Sequence, residues 1–310
     1  MTRTVFFGSP APAAESLRRL AASGLQIAAV YTRADRVAGR SRSATPTPVK
    51  QAAEALGIPV RTPHSLRGAD ARAELAGLGA ELFVVVAYGR LLPPPVLSMP
   101  GLGVVNVHPS LLPRYRGPSP VVTALLDGAP ETGVTVMLLD EGMDTGPVLA
   151  RSDPVRITRE DTGGALTGRL FAIGTDLLLA TLPRWMAGQM VPEPQDDGAA
   201  TVTRLIEKQD GALDFARGAE ELERAVRAYD PWPGTFTRWN GRSLKILEAA
   251  LAPGGVGRPG TVVVEGDRLV VATGCGGLAV SRLQLEGRRG ATAAEFRRGY
   301  PAIEGAVLGI

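Results

Sequence analysis

Short, continuous apolar runs recur through the first 110 residues, and segments with helical spacing of apolar residues separate them. The runs lie at residues 4–7, 27–31, 81–87 and 103–106. The helical segments lie at residues 13–22, 49–56 and 70–78. Strands that are apolar throughout are typical of parallel sheets that helices cover on both faces. The alternation therefore predicts a doubly wound α/β fold with a mostly parallel sheet.

The sequence changes character after residue 188. Residues 161–182 have the apolar spacing of one long helix, whereas residues 189–207 are rich in Pro, Gly, Asp and Ala, as linkers are. Beyond a helical segment at residues 219–228, short β-prone runs alternate with turn sequences such as NG and GD. Since 310 residues exceed what one core usually organises, we predict an α/β domain at 1–188, a linker at 189–207 and a β-barrel domain at 208–310.

Composition excludes several classes of protein. The chain has 34 Lys and Arg against 31 Asp and Glu. The resulting net charge of +3 is too small for a protein that coats nucleic acid. One cysteine, Cys275, and two histidines cannot build a disulfide or a four-ligand structural zinc site. The apolar runs fall short of the roughly 20 residues that cross a bilayer, and the first residues lack a signal peptide's apolar core. We therefore expect a protein of the reducing cytoplasm, without metal or membrane.

Positive charge is concentrated in one stretch, residues 31–50. It contains Arg33, Arg36, Arg40, Arg42 and Lys50 against the single acid Asp35. Such a stretch is either a solvated surface loop or a contact for a phosphate-bearing partner. Composition alone leaves both interpretations open.

The stretch NVHPSLLPRYRGPSP contains the residues best placed for chemistry. In open parallel sheets, ligands bind outside the carboxyl ends of the strands, and Asn106 and His108 lie at the end of a predicted strand. Pro109 and Pro113 are expected to hold the loop between them in an extended path. The sequence DEGMDTG at 140–146 follows another apolar run and supplies an acid, Asp144, that could meet the histidine.

Each of these features alone has an ordinary structural explanation. A single histidine at a strand end is usually a surface or hydrogen-bonded residue, and an Asp-x-Gly sequence is usually only a turn. Other chemistries fit less well, because the chain lacks the nucleophile elbow, the phosphate-binding loop, the zinc-protease helix and the dinucleotide fingerprint. A Ser/His/Asp triad would have to use Ser110, two residues from His108. The combination of motifs is what favours a site.

These motifs resemble those of the tetrahydrofolate-dependent formyltransferases. The pair NVHPSLLPRYRG and DEGMDTG is specific to that group. Further similar stretches are GSPAPAAESL, ADRVAGRSRSATPTPVK, VVVAYGRLLP, PEPQDDGAATVTR and YDPWPGTF, so the resemblance covers nearly the whole chain. The last two, with the C-terminal half, are most similar to members that act on methionyl-tRNA. The resemblance implies a Rossmann-like sheet and an OB-like C-terminal barrel.

The resemblance also implies functional residues. Asn106, His108 and Asp144 would form the catalytic trio. The pocket for 10-formyltetrahydrofolate would be lined by Ser110, Leu111, Leu112, Pro113, Arg90 and Leu92. Initiator methionyl-tRNA would be the acceptor, and its basic contacts would be Arg36, Arg40, Arg42, Lys50 and Lys208, with Arg40 foremost. The expected form is a monomer that uses no metal.

The chain departs from the family pattern at a few positions. Tyr115 replaces the usual Trp, Ala34 and Val37 replace prolines of the basic loop, and Pro109 replaces Gly or Ala. Three other functions remain open: transfer to an amino-sugar nucleotide or another small amine, hydrolysis of formyl-folate, and tRNA binding without catalysis. The C-terminal β domain and the basic loop disfavour a small acceptor, and the intact trio disfavours a non-catalytic role.

Overall fold

The computed structural model describes residues 2–37, 44–253 and 257–309. The chain divides into two compact units. The first comprises Met1–Pro120, Glu131–Arg156 and Thr167–Thr203, and the second comprises Val121–Pro130, Ile157–Leu166 and Arg204–Ile310.

The elements up to residue 186 follow the predicted alternation of strands and helices. In chain order they are β1 (Arg3–Gly8), α1 (Ala11–Ala22), β2 (Gln26–Tyr31), β3 (Arg36–Val37), β4 (Ala44–Thr45), α2 (Pro48–Ala55), β5 (Val60–Arg61), α3 (Ala69–Gly77), β6 (Leu82–Val86), α4 (Pro94–Leu97), β7 (Val104–His108), α5 (Pro120–Leu126), β8 (Glu131–Thr132), β9 (Thr135–Leu138), β10 (Val148–Arg151), β11 (Val155–Arg156) and α6 (Gly163–Met186).

The first unit is built on a seven-stranded sheet in the order β10-β9-β7-β6-β1-β2-β5. The five strands from β7 to β5 in that order are parallel to one another. Strands β9 and β10 are antiparallel additions at one edge. The prediction of a doubly wound, mostly parallel sheet is confirmed, and β7 lies inside this sheet, between β6 and β9.

Aromatic side chains fill the core on one face of the sheet. The Phe7 ring lies 5.1 Å from that of Tyr31 and 5.4 Å from those of Phe83 and Tyr88, measured between centroids. Burial of the Tyr31 hydroxyl raises its pKa to about 12. Such offset aromatic packing contributes beyond the buried area alone. The group therefore fixes the relative positions of β1, β2 and β6, whose carboxyl ends border the candidate site.

Helix α6 covers the opposite face. A Cβ added at Gly174 would lie 2.5 Å from Cγ1 of Val107, so the helix approaches β7 closely there. Helix α6 is also long and apolar enough, by length and composition, to cross a membrane. In the structure, 44% of its most apolar 18-residue stretch is buried inside the protein. Helices buried in the core of a protein meet the same criteria of length and composition, so these criteria alone do not indicate a membrane span.

The described part of the second unit from residue 204 onward contains an antiparallel sheet with two α-helices. The helices and strands of this part are α7 (Ala219–Ala228), β12 (Thr235–Trp239), β13 (Arg242–Ala252), β14 (Val262–Glu265), β15 (Arg268–Ala272), β16 (Gly277–Leu285), β17 (Ala291–Thr292) and α8 (Ala293–Gly299). The strand order is β12-β13-β16-β15-β14, with β17 paired to β16. Inward-facing residues such as Leu244, Ile246 and Leu283 alternate with exposed ones. The predicted change to a separate, antiparallel β domain is confirmed.

Candidate active site

Strand β7 places Asn106 and His108 on the same face of the sheet. Val107 points towards α6, where it approaches Gly174. Because side chains alternate along a strand, the residues on either side of Val107 point the other way. Both are buried, with 8% of Asn106 and 4% of His108 exposed. They lie at the carboxyl end of β7, as predicted.

The two ring nitrogens of His108 have different environments. Nε2 lies 2.9 Å from the backbone oxygen of Tyr115. Since a carbonyl only accepts, Nε2 carries a proton. Nδ1 lies 3.6 Å from Oδ2 of Asp144, too far for a hydrogen bond. Among the described residues, Nδ1 has no hydrogen-bond partner, so it is the nitrogen available to a ligand.

Asp144 reaches the histidine by an unexpected route. Strand β9 is antiparallel to β7, and its carboxyl end pairs with Val105 whereas its beginning pairs with His108. The turn after β9 must therefore fold back along the sheet to bring Asp144 to the imidazole. A Cβ at Gly146 would lie only 2.0 Å from the carbonyl oxygen of Leu138, so only glycine allows this return.

The Asp144 turn is fixed by its neighbours. Asp144 has a φ of +55°, an unusual backbone conformation for a residue other than glycine. Its Oδ2 accepts a hydrogen bond of 2.8 Å from the backbone N–H of Gly117. Gly117 has a φ of +103°, and a Cβ there would lie 2.8 Å from the Thr203 carbonyl oxygen. The Asp144 side chain is 14% exposed, and its Oδ2 faces Nδ1 of His108 at 3.6 Å.

Asn106 presents an amide with no partner. Among the described residues, its side chain makes no hydrogen bond, although the residue is almost buried. Its amide atoms are not among the fully buried side-chain atoms that lack a partner, so they remain accessible to solvent and to a ligand. The structure therefore places Asn106 and His108 on one face of the sheet and brings Asp144 beside His108.

The loop after β7 differs from the extended path that its prolines predicted. A turn forms instead, closed by a 3.1 Å hydrogen bond from Arg114 N–H to the Leu111 carbonyl. Proline fixes φ but leaves ψ free, so it permits a turn as well as an extended path. Ser110 is fully buried and its hydroxyl donates to the Arg114 carbonyl at 2.7 Å. Leu112 is also buried, whereas Leu111 and Pro113 are partly exposed.

The other predicted folate contacts follow β6. Leu92 packs into the core on the aromatic face of the sheet. Arg90 is half-buried, and its Nη1 donates to the carbonyls of Pro63 and His64 at 2.5 and 2.9 Å. Two exposed apolar side chains lie in loops that follow strands of the sheet: Leu91 after β6 and Met143 after β9. These loops offer apolar surface at the open side of the sheet.

A cavity of about 350 Å³ opens beside β6. Its walls come from residues that follow β1, β2 and β6, namely Ser9, Pro10, Arg33, Ala34 and Ala87, together with Thr45 and Thr47. The Arg33 guanidinium donates to the Gly89 carbonyl at 2.5 Å. The cavity thus lies at the carboxyl ends of the parallel strands, one strand away from β7.

The predicted tRNA contacts are only partly described. Arg40 and Arg42 lie outside the described residues, and Arg36 is described through its backbone in β3. Lys50 forms an ion pair with Asp35, Nζ to Oδ2 at 2.7 Å, and this hydrogen bond raises the pKa of Lys50. Lys208 is exposed in the second unit, at the start of a 3₁₀ helix. In the described part of the chain, no three His, Cys, Asp or Glu side chains are grouped as metal ligands would be.

The sequence predicts no site residue within residues 193–203, which we call the 193–203 segment, although this segment lies in PEPQDDGAATVTR, one of the stretches that resemble the formyltransferases. Predicted as linker, it belongs to the first unit. Its residue Gln195 contacts the Asp144 turn. Its residues Thr201 and Thr203 hydrogen-bond the backbone of the loop after β7 at Tyr115 and Arg116. Contacts between single side chains and backbone groups leave no periodic pattern, so the only signal in the sequence for these residues was the resemblance of PEPQDDGAATVTR to the family.

Comparison with known proteins gives the relatives of this chain. The family described as formyl transferase matches residues 2–182, and its C-terminal domain matches residues 205–301. A methionyl-tRNA formyltransferase from Roseiflexus sp. (strain RS-1) is 48% identical over 99% of this chain and 95% of its own length. One from Dehalococcoides mccartyi is 45% identical over 99% of both chains.

Solved structures share the fold at much lower identity. The N-formyltransferase from Helicobacter canadensis, in complex with folinic acid and dTDP-3-aminofucose, superposes with a TM-score of 0.67 at 18% identity over 90% of this chain and 99% of that one. HypX from Aquifex aeolicus in complex with tetrahydrofolic acid gives 0.66 at 16% identity, over 95% of this chain and 46% of that one.

Proposed function

Because this chain belongs to the formyl transferase family, we propose that it transfers the formyl group of 10-formyltetrahydrofolate to the α-amino group of methionine esterified to initiator tRNA. The product would serve translation initiation, in the cytoplasm, with the protein acting as a monomer. The observation that carries the proposal is the proximity of His108 and Asp144, with Asn106 on the same face at the carboxyl end of β7, in a chain 48% identical to a methionyl-tRNA formyltransferase over nearly its whole length.

Asn106 stabilises the negative charge that develops on the formyl oxygen. When an amine attacks the trigonal formyl carbon, electron density moves to that oxygen. The amide of Asn106 has no hydrogen-bond partner among the described residues, and only 8% of the residue is exposed, so its N–H group can donate there. Removing one such donor typically costs about 10²–10³-fold in kcat.

His108 supplies the second donor through Nδ1. The imidazolium carries a proton on each nitrogen, and the Nε2 proton is engaged by the Tyr115 carbonyl. The Nδ1 proton is then left for the formyl oxygen. The carboxylate of Asp144, 3.6 Å away, stabilises the positive ring.

Asp144 also accepts the proton that the amine loses, through a water molecule. In the complete step, the amine nitrogen forms a bond to the formyl carbon and the bond between that carbon and N10 breaks. The proton leaves the amine and finally resides on N10, so charge and atoms balance. A positioned proton acceptor typically contributes about 10²–10⁴-fold.

The folate is bound by the loops that follow β6, β7 and β9. The residues proposed from the sequence remain Ser110, Leu111, Leu112, Pro113, Arg90 and Leu92. Since Ser110, Leu112 and Leu92 are buried, we infer that they act by shaping these loops, whereas Leu111 and Pro113 can contact the folate directly. The exposed apolar side chains of Leu91 and Met143 suit a flat aromatic ring.

The acceptor enters from the side of β1 and β2. The 350 Å³ cavity there carries Arg33 and is adjacent to β6, so it can admit the phosphate-bearing end of a tRNA. The basic contacts proposed for the tRNA remain Arg36, Arg40, Arg42, Lys50 and Lys208. Because Lys50 is paired with Asp35, its net contribution is smaller than that of an unpaired cation.

The decisive experiment is a transfer assay with radiolabelled 10-formyltetrahydrofolate. Methionine charged on initiator tRNA is compared with methionine charged on elongator tRNA and with no acceptor, and formate release is measured alongside. We expect formyl-methionine only with the initiator. Formate released without acceptor would indicate a hydrolase instead, and transfer to an amino-sugar nucleotide but not to either tRNA would indicate a small acceptor.

A further inference from the structure

The 193–203 segment hydrogen-bonds both loops that position the catalytic trio. At its beginning, Glu193 and Val148 of β10 exchange two backbone hydrogen bonds of 2.7 and 2.8 Å. At its end, the Thr201 carbonyl accepts from Arg116 N–H at 2.8 Å, and Thr203 N–H donates to the Arg116 carbonyl at 2.7 Å. Between these ends lies Gln195, whose side chain is directed at the Asp144 turn.

The Gln195 amide meets the backbone of the Asp144 turn twice. Its Nε2 donates to the carbonyl of Asp144 at 2.9 Å and to that of Gly146 at 2.7 Å. One amide nitrogen has two protons, so both are used. The opposite orientation of the amide would set an oxygen against two carbonyl oxygens. The neighbours therefore fix which end of the amide faces the turn.

Arg116 holds the other end of this amide. Its Nε donates to Oε1 of Gln195 at 3.0 Å, and its Nη2 lies 2.8 Å from Oδ1 of Asp197. Arg116 is 6% exposed, so the guanidinium is a rigid, nearly buried support. The next residue, Gly117, donates its N–H to the Asp144 carboxylate. Asp144 is thus held through its backbone by Gln195 and through its side chain by Gly117, and Arg116 joins the two.

Such support matters because Asp144 adopts a strained conformation, with φ at +55°. Backbone in this region persists only where its surroundings fix it. We propose that Gln195 is a positioning residue for Asp144: it holds the carboxylate at its distance from His108 and so sets the rate of transfer without contacting either substrate. This inference rests on the function proposed above.

The test uses two substitutions and a matched control in the full-length protein. Gln195→Glu places a carboxylate oxygen against two carbonyls, and Gln195→Ala removes the amide. Gln189→Glu is the control, since Gln189 is exposed and its side chain makes no hydrogen bond among the described residues. We expect kcat for formyl transfer to fall roughly 10- to 100-fold in both Gln195 variants, because small misplacements of a reacting group cost up to about that much. KM for the tRNA should stay unchanged.

A spectroscopic readout separates positioning from general loosening. The chain has only two histidines, His108 and the exposed His64, so their ring Hε1–Cε1 signals are resolved in a two-dimensional NMR spectrum without acceptor or folate. We expect the His108 signal to move in both Gln195 variants while the His64 signal stays. Neither signal should move in Gln189→Glu.

Several outcomes would overturn the inference. If the wild type transfers formyl and both Gln195 variants keep kcat within about twofold, Gln195 does not position Asp144. A drop in kcat with an unmoved His108 signal would also refute it, because the rate would then depend on something other than the trio. Failure of the wild type to transfer formyl would defeat the proposed function alone, since the NMR comparison still reports whether Gln195 governs the surroundings of His108. Thermal melting of each variant excludes unfolding, and Gln195→Ala serves where Gln195→Glu does not fold.

Discussion

At the scale of single residues, His108 depends on a backbone group for its orientation. The Tyr115 carbonyl engages Nε2, so the ring presents Nδ1 to the substrate side. Tyr115 has a φ of +58° and its ring is nearly buried. The side chain of Tyr115 departs from the usual family residue, yet the group that touches His108 is common to all amino acids. The trio therefore tolerates this departure.

Asn106 is the residue whose loss should affect chemistry most selectively. We expect Asn106→Ala to lower kcat by roughly 10²–10³-fold, since it removes one donor to the formyl oxygen. The Kd for the folate should change little, because the donor acts mainly on charge that appears in the transition state. Single-turnover kinetics and folate titration measure the two quantities separately.

Asn106→Asp provides the isosteric comparison. It keeps the size of the side chain but replaces the donating NH₂ with an oxygen, so kcat should fall at least as far as in the alanine variant. Near-normal turnover in either variant would refute the role assigned to Asn106. Asn240→Ala, in a turn of the second unit, should leave turnover unchanged.

The position of Asn106 and His108 at the end of a strand could be predicted from the sequence, but the groups that hold Asp144 could not. Asn106 and His108 stand out because strand periodicity places them at a carboxyl end. Gly117 and Gln195 lie in stretches that resemble the family, but their roles do not stand out. They act through hydrogen bonds to groups remote in sequence, one from Gly117 and two from Gln195. Such contacts are fixed only by the folded chain.

At the scale of elements, the helices and strands with strong apolar periodicity were predicted closely. The helix expected at 161–182 is α6 (Gly163–Met186), and the strand expected at 27–31 is β2 (Gln26–Tyr31). The direction of β9 could not be predicted, because a strand's side-chain pattern is the same in parallel and antiparallel pairing. That direction decides the route by which Asp144 reaches His108.

Helix α8 shows a local signal that is fully readable from sequence. Thr292 accepts from the N–H of Glu295 at 3.2 Å, and Glu295 Oε2 accepts from that of Thr292 at 2.9 Å, which is a capping box. We expect Thr292→Ala to destabilise the helix by about 1 kcal/mol. Amide hydrogen exchange in α8 should accelerate about fivefold, while exchange in α7 stays unchanged. If the amide groups of α8 exchanged equally slowly in Thr292→Ala and in the wild type, the capping role would be contradicted.

The same helix should loosen in acid. The hydrogen bonds from the Thr292 backbone and hydroxyl lower the pKa of Glu295. A carboxyl group whose folded pKa is lowered stabilises the folded state above its unfolded pKa, about 4.3, and that contribution is lost as pH falls through the folded value. Exchange in α8, corrected for intrinsic rates, should therefore rise below about pH 4 in the wild type.

Glu295→Gln should abolish that pH dependence, because the amide does not titrate. Glu304→Gln is the matched control, since Glu304 is exposed and its side chain makes no hydrogen bond among the described residues. It should retain the wild-type profile. A wild-type profile that stays flat through this range would show that the capping carboxylate contributes nothing to α8.

At the scale of the whole molecule, the change from a parallel α/β unit to an antiparallel β unit could be predicted because the period of the apolar pattern changes. The boundary between them was harder to place. Residues 189–203 have the composition of a linker, yet the 193–203 segment within them hydrogen-bonds the loops that follow β7 and β9 in the first unit. We keep the division at 1–188, 189–207 and 208–310 as a proposal about folding units, with the 193–203 segment serving the first.

The acceptor proposed here is a polyanion, so its binding should depend on salt. Each cation that meets a phosphate releases counterions and adds close to one to the slope of log K against log salt. Arg40 lies in the basic stretch and outside the described residues. We expect Arg40→Ala to raise KM for initiator methionyl-tRNA and to reduce that slope by about one, with kcat nearly unchanged. Arg18→Ala, on the exposed face of α1, should alter neither, and an unchanged slope for Arg40→Ala would make the stretch a solvated loop.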